Sequence, residues 1–159
     1  MSLRMDYNAA SPEGMKALGG AHSYVLRSGL PKSLIQLVFL RVSQINGCAF
    51  CVGLHSGDLL RGGMAPEKLA LVPSWREAGD LFDRVERGAL AWAESVTRVA
   101  DTNVPDPDFT AAAEVFGPKE LADLTITIAV MNAYNRMAIS FRLPPTAANP
   151  QSRTLERTS

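Results

Sequence analysis

Residues 40–55 have the sequence LRVSQINGCAFCVGLH, which predicts the end of one helix and the start of the next. Asn46 and Gly47 both tolerate the left-handed backbone conformation that commonly ends a helix. A new helix is then expected from Cys48 to Arg61, where two glycines follow. The two cysteines of the chain therefore lie in the first turn of the second helix.

Cys48, Cys51 and His55 follow one another at spacings of three and four residues. A helix advances about 100° per residue, so the three side chains fall within roughly 60° on one face. A helix N-terminus and a nearby imidazole both favour the thiolate, which is the reactive form of cysteine. Cys48 is nearer the helix start, whereas Cys51 could pass its proton to His55, so the spacing leaves the nucleophile open. If either sulfur is oxidised to a sulfenic acid, attack by the other gives a disulfide.

Three other interpretations of this motif are less favoured. A structural disulfide across a two-residue gap would restrict the unfolded chain very little. Two inert thiols buried in a core are common enough to consider. A structural zinc ion would find three ligands here but needs a fourth, and the only other histidine, His22, is distant in the sequence. Redox chemistry of the cysteine pair is therefore favoured.

Capping residues, among them Ser33 and the pair Asp83 and Glu86, together with prolines and apolar spacing predict further helices on both sides of this stretch. They are expected over about 12–27, 33–46, 65–72, 83–99, 106–117 and 119–141, with no strand pattern between them. The second and the last are apolar around most of their circumference and need burial on several sides. Asn132, Asn135 and Arg136 in the last helix could line the site, but bonding across a subunit interface is favoured, because buried polar groups are usually satisfied by hydrogen bonds. The fold class is all-α.

The chain of 159 residues fits a single domain. We divide it into an N-terminal helical segment (1–30) packing on the core, a helical core (31–142) and a tail (143–159) whose prolines and polar residues predict disorder. Equal counts of basic and acidic residues, 16 each, disfavour nucleic acid and membrane surfaces as partners. Without a signal peptide or a run of about 20 apolar residues, a cytoplasmic location is expected.

Residues 40–55 resemble the core of the AhpD-like alkylhydroperoxidases, within the carboxymuconolactone decarboxylase-like superfamily. The resemblance continues through Gly63, 83–92 and 132–136 and covers about 31–141. It implies a single-domain helical bundle that assembles into a homo-oligomer, a trimer or a hexamer. No bound organic cofactor or metal ion is expected.

The resemblance also implies roles for individual residues. It makes Cys51 the thiol that attacks peroxide, Cys48 the resolving thiol and His55 the acceptor of the proton. Two positions depart from the family pattern. Gln36 stands where a glutamate of a proton relay is expected, and it can orient His55 or a water but cannot ionise. Phe50 stands where a tyrosine or histidine is usual, and it carries no transferable proton.

The predicted function is therefore a thiol-dependent antioxidant enzyme, of the alkylhydroperoxidase or peroxiredoxin type or a disulfide reductase. It would act on a peroxide or a disulfide and be reduced by an external lipoyl-type or thioredoxin-type thiol. The alternative is a non-catalytic oligomeric module of the same fold that senses oxidants or binds a partner. Decarboxylation is disfavoured, because superfamily members that act as lactone decarboxylases generally lack this dithiol.

Overall fold

The computed structural model describes residues 2–145, which form α-helices and two short 3-10 segments without any strand in that range. The expected all-α class is confirmed, whereas residues 146–159 of the predicted disordered tail lie outside the described part. No helix between residues 2 and 145 is both long and apolar enough to cross a membrane. The α-helices are α1 (Tyr7–Ala10), α2 (Pro12–Val25), α3 (Lys32–Asn46), α4 (Ala49–Arg61), α5 (Pro66–Ala70), α6 (Arg84–Thr97), α7 (Val99–Thr102), α8 (Asp106–Ala113) and α9 (Pro118–Ser140).

Helix α3 lies at the centre of the bundle and packs against α4, α6 and α9. Three consecutive residues in its middle, Leu37, Val38 and Phe39, are almost completely buried although they point in different directions. This explains why the sequence of α3 is apolar on more than one face. Truncating a side chain such as Phe39 to alanine would cost about 3–5 kcal/mol of stability, because the close-packed neighbours cannot fill the space.

The ends of the helices show which local sequence signals correctly predict a helix boundary. Gly47 ends α3 with a φ of 72°, a conformation that glycine adopts without steric cost, and it redirects the chain into α4. Asp83 and Glu86 form the capping box expected at the start of α6. Ser33 does not cap α3, because the helix already begins at Lys32, directly after Pro31.

The N-terminal segment packs along the last helix. Helix α2 contacts α9, where the Tyr24 hydroxyl donates to Asp123 at 2.7 Å. The backbone N–H of Arg4 donates to the carbonyl of Phe141 at 2.9 Å, and the Tyr7 ring lies 5.5 Å from the Phe141 ring. The start of the described chain is thus held close to the end of α9, beside the first turn of α4.

Candidate active site

The cysteine pair lies where the sequence places it, at the start of α4. Cys48 is the N-cap residue, and its sulfur accepts the backbone N–H of Cys51 at 3.4 Å. Both cysteines are free thiols, with only 1% of Cys48 and 4% of Cys51 exposed. The side chain of an N-cap residue accepts a hydrogen bond from a backbone N–H two or three residues later. The Cys-x-x-Cys spacing at a helix start therefore gives the first sulfur this hydrogen bond.

The two thiols differ in their preference for a proton. A hydrogen bond from the Cys51 thiol lowers the pKa of Cys48 to about 7, aided by the N–H of Cys51 and the Asn135 amide and opposed by burial. The same hydrogen bond, burial and the negative charge of Cys48 raise the pKa of Cys51. The pair therefore begins to lose its first proton near neutral pH, and the charge then lies on Cys48. Because the groups are coupled, this acidity belongs to the pair.

His55 is buried one turn further along α4. Its Nδ1 lies 2.8 Å from Oε1 of Gln36, and its ring centre lies 5.1 Å from that of Phe39. Burial lowers the pKa of His55 to about 4, a shift that Asp58 at 3.8 Å only partly opposes. Since an amide oxygen accepts hydrogen bonds, the Nδ1 atom carries the proton of the neutral ring. Nε2 is then the nitrogen without a proton, and the ring is neutral at pH 7.

A chain of side-chain amides reaches the dithiol from α9. Asn46 donates to the side-chain oxygens of Asn132 at 3.0 Å and Asn135 at 2.9 Å. Asn135 in turn donates to the hydroxyl of Ser43 at 3.1 Å. Arg136 bonds to Asn132 at 2.9 Å. These hydrogen bonds lie within one chain, so Asn132, Asn135 and Arg136 have partners without a subunit interface.

A cavity of about 820 Å³ lies between α2, α3, α4 and the chain around α5. Its lining includes Gln36 and His55 but neither cysteine. His22, which is distant from the motif in sequence, lines the same cavity and stacks on Phe39 at 5.7 Å between ring centres. Its wall combines apolar and charged side chains, among them Leu26, Leu54, Leu59, Met64, Lys32, Asp58, Lys68 and Glu86.

The structure thus pairs Cys48 with Cys51 and His55 with Gln36, and His55 follows Cys51 by one turn of α4. Phe50 packs against the hydrophobic core, and its side chain carries no transferable proton. Within residues 2–145, no three or more His, Cys, Asp or Glu side chains are grouped so that they could hold a metal ion. Sequence reasoning missed Ser43 and Asn46 as neighbours of the site: Ser43 carried no signal, and Asn46 was interpreted only as a helix-stop residue.

Comparison with known proteins gives a consistent grouping. Residues 11–95 match the model of the carboxymuconolactone decarboxylase family. The uncharacterized protein YdfG of Bacillus subtilis (strain 168) is 31% identical over 140 residues, which are 88% of this chain and 95% of YdfG. ATU0492 of Agrobacterium tumefaciens, a protein of unknown function with a suggested AhpD role in antioxidant defence, is 37% identical with a TM-score of 0.87, covering 91% of this chain and 98% of ATU0492.

A more distant structure shows that the same fold accommodates other chemistry. The debrominase Bmp8 is 17% identical, with a TM-score of 0.75, over 92% of this chain and 76% of Bmp8. At this identity the likeness extends to the fold alone, and function has to be argued from the side chains of the site.

Proposed function

This chain belongs to the carboxymuconolactone decarboxylase family, in its AhpD-like group, and from this premise we propose that it is a thiol-dependent antioxidant enzyme. In the proposed cycle Cys48 and Cys51 alternate between a dithiol and a disulfide. The observation that carries the proposal is the position of two free thiols at the start of α4, where the Cys48 sulfur accepts the N–H of Cys51 and hydrogen bonds lower the pKa of Cys48 to about 7.

The oxidative half of the cycle uses a peroxide. A thiolate attacks one peroxide oxygen, the O–O bond breaks, and the leaving oxygen takes a proton from solvent and departs as an alcohol or as water. The second cysteine then attacks the resulting sulfenic acid, so that an S–S bond forms and water leaves. In the reductive half, an external dithiol supplies two electrons and two protons and becomes a disulfide itself.

The roles of the two cysteines depend on where their shared proton lies. The resemblance assigns the attack on peroxide to Cys51, whereas the hydrogen bonds place the charge on Cys48. The two states differ by the position of one proton in the hydrogen bond between the sulfurs. Transfer of that proton to Cys48 makes Cys51 the thiolate, and His55 provides a neutral base for the proton released in the cycle.

Access to the site supports His55 as the residue that a substrate meets first. The cavity of about 820 Å³ is lined by His55 and Gln36, and its mixed apolar and charged wall suits a small organic hydroperoxide or disulfide. We include in the proposal a lipoyl-type or thioredoxin-type reductant and assembly into a homo-oligomer. Exposed apolar side chains such as Phe109 and Ile139 support assembly.

A redox-sensing module is the second candidate, and the burial of the thiols favours it. With 1% and 4% exposure, Cys48 and Cys51 are less accessible than reactive cysteines usually are. A sensor would be oxidised slowly and would remain a disulfide, because it has no matched reductant. An enzyme would return to the dithiol and react again at the same rate.

Mass spectrometry of the full chain tests the proposal. We expect hydrogen peroxide and cumene hydroperoxide each to convert the dithiol to a Cys48–Cys51 disulfide, dithiothreitol to restore it, and a second addition to repeat the conversion. His55→Ala should slow oxidation by about 100-fold, the lower range for loss of a general base. Thiols that stay reduced in excess peroxide would contradict the enzyme, and a single slow oxidation would favour the sensor.

Single-cysteine variants separate the two roles. If Cys51 attacks peroxide, Cys48→Ser still forms a sulfenic acid that dimedone traps, whereas Cys51→Ser does not. Trapping only in Cys51→Ser would instead assign the attack to Cys48, and the disulfide cycle itself would be unchanged.

A further inference from the structure

Both histidines of the chain line the same cavity, the one of about 820 Å³ between α2, α3 and α4. His22 reaches it from α2 and His55 from α4. The two imidazoles contact the same Phe39 ring, with ring centres 5.7 Å away for His22 and 5.1 Å away for His55. In the sequence, His22 is only a distant fourth ligand for zinc. In the folded chain it is a wall residue of the cavity that also contains His55.

The ring nitrogens of His22 are free to bind a ligand. The ring stacks on Phe39 and lies at nearly a right angle to Tyr134, but no group between residues 2 and 145 hydrogen-bonds to either nitrogen. Since no fully buried side-chain nitrogen in the described part of the chain lacks a partner, both nitrogens of His22 are accessible. Burial lowers the pKa of His22, so at neutral pH its ring offers one donor and one acceptor.

His55 also has one nitrogen available. Its Nδ1 donates to Gln36 at 2.8 Å, whereas Nε2 has no hydrogen-bond partner among the described residues. Only 5% of His55 is exposed, and this residue lines the cavity. Nε2 is not sealed from solvent, because a sealed nitrogen without a partner does not occur in the described range. Since Nε2 carries no proton, it can accept a hydrogen bond from a molecule in the cavity.

The rest of the cavity wall favours a ligand with an apolar body. Lys68 pairs with Glu86 at 2.7 Å and Arg61 with Asp58 at 2.6 Å, so most charges of the wall are already compensated. Lys32 lies at the exposed start of α3. The apolar part of the wall consists of Leu26, Leu54, Leu59 and Met64. A pocket with an apolar wall and a few polar groups binds a small organic molecule with a polar head.

We propose that His22 is a substrate-binding residue, which together with Nε2 of His55 holds the O–OH group of an organic hydroperoxide. A hydroperoxide donates through its terminal O–H and accepts at both oxygens. Nε2 of His55 accepts the O–H, the N–H of His22 donates to a peroxide oxygen, and the organic group lies on the apolar wall. The O–OH group is held beside His55, one turn of α4 from Cys51. This inference rests on the peroxide reaction proposed above and adds a residue from a helix outside the cysteine motif.

An unreactive analogue separates binding from the reaction. Cumyl alcohol has the apolar body of cumene hydroperoxide and one hydroxyl, but it cannot oxidise a thiol. The chain has 2 histidines and both line the cavity, so the NMR signals of their ring protons report directly on its occupancy. We expect cumyl alcohol to shift both signals of the reduced full chain with the same half-saturating concentration. A shift of neither signal, or of the His55 signal alone, would overturn the assignment.

His22→Phe keeps a ring against Phe39 and Tyr134 but removes both nitrogens. Cumyl alcohol should bind about fivefold more weakly, as expected for one lost hydrogen bond, whereas cumene, which has no hydroxyl, should bind within about twofold of wild type. Tyr134→Phe is the matched control, because it removes the hydroxyl of a neighbouring ring that does not line the cavity. Neither ligand should change by more than about twofold there. Equal weakening of both ligands in His22→Phe would show a structural role and overturn the proposal.

The kinetics of dithiol oxidation provide a second measurement. In His22→Phe, the concentration of cumene hydroperoxide for half-maximal rate should rise about fivefold, with the maximal rate within about twofold of wild type. An unchanged half-maximal concentration would contradict the role of His22. If this variant does not fold, the wild-type NMR titration still decides. Wild-type protein that binds cumyl alcohol through both rings but forms no disulfide with cumene hydroperoxide would support the binding site and contradict the proposed enzyme.

Discussion

Two buried polar regions along α3 stabilise a buried negative charge in different ways. The first, the Glu94 cluster, consists of Glu94, Arg41, Arg76 and Trp75. Arg41 and Trp75 donate to one carboxylate oxygen at 2.8 and 2.9 Å, and Arg76 bonds to the other. Although burial opposes ionisation, hydrogen bonds from Arg76, Trp75 and Arg41 keep the pKa of Glu94 below its ordinary value. Its charge is therefore constant through the neutral range.

The second region, the dithiol site, contains Cys48, Cys51, His55, Gln36 and Asn135. It offers the buried thiolate uncharged donors instead of a cation, and its pair of thiols titrates near neutral pH. A full positive charge beside the sulfur would hold it ionised but would also make it a weaker nucleophile, because nucleophilicity falls as the pKa falls. The comparison indicates that the Glu94 cluster is built for a fixed charge and the dithiol site for a charge that changes.

The largest effect is expected from breaking the Glu94 cluster. Glu94→Ala leaves two arginines without their shared carboxylate, and loss of one partner from a buried ion pair costs about 3–5 kcal/mol. Urea denaturation followed by circular dichroism measures the free energy of unfolding. In the folded protein, the labelling rate of Cys48 should be unchanged.

Arg76→Ala is the matched control for this prediction. The Arg76 side chain is 55% exposed, so its loss should cost about 1 kcal/mol or less. An equal loss of stability in Glu94→Ala and Arg76→Ala would show that the buried carboxylate contributes no more than the exposed guanidinium. Slower labelling in Glu94→Ala would show that the two regions along α3 are coupled.

An effect of intermediate size is expected at His55, whose neutral form is held by burial. Its pKa is about 4 in the folded protein and about 6.5 when unfolded, so between these values the unfolded chain binds more protons. Stability is therefore lost as the pH falls through 6.5 toward 4, by about 2 kcal/mol at pH 5 relative to pH 7.5. Unfolding curves of wild type and His55→Gln at both pH values isolate this contribution. A wild-type decrease no larger than that of the variant would contradict it.

The smallest effect sharpens the contrast between neutral and charged partners. Gln36→Glu places a carboxylate where the amide oxygen now lies 2.8 Å from Nδ1 of His55. An opposite charge at this distance should raise the pKa of His55 by about 1 unit, which NMR titration of the ring protons detects. Peroxide oxidation of the dithiol should become faster if the missing glutamate limits proton transfer. An unchanged His55 titration would show that Gln36 does not set the environment of the ring.

Much of the fold could be predicted from local signals. These signals act between residues a few positions apart, so the predicted helices and helix ends agree with the observed ones. They include the stop at Gly47, the Asp83–Glu86 capping box and the apolar helices 33–46 and 119–141. The helix start at Lys32 instead of after Ser33 shows the usual uncertainty of a boundary. The first helix, Tyr7–Ala10, was not predicted, because its place depends on contacts with the end of α9.

The sequence by itself determined where the motif of Cys48, Cys51 and His55 lies on its helix, because the spacing of these residues and the helix stop before them are local properties of the chain. Only the tertiary structure decided the electrostatics of that motif. The lowered pKa of Cys48, the neutral ring of His55 and the hydrogen bond between Asn135 and Ser43 depend on burial and on contacts between α3, α4 and α9. Asn135 and Ser43 are 92 positions apart, so their contact exists only when the bundle is folded.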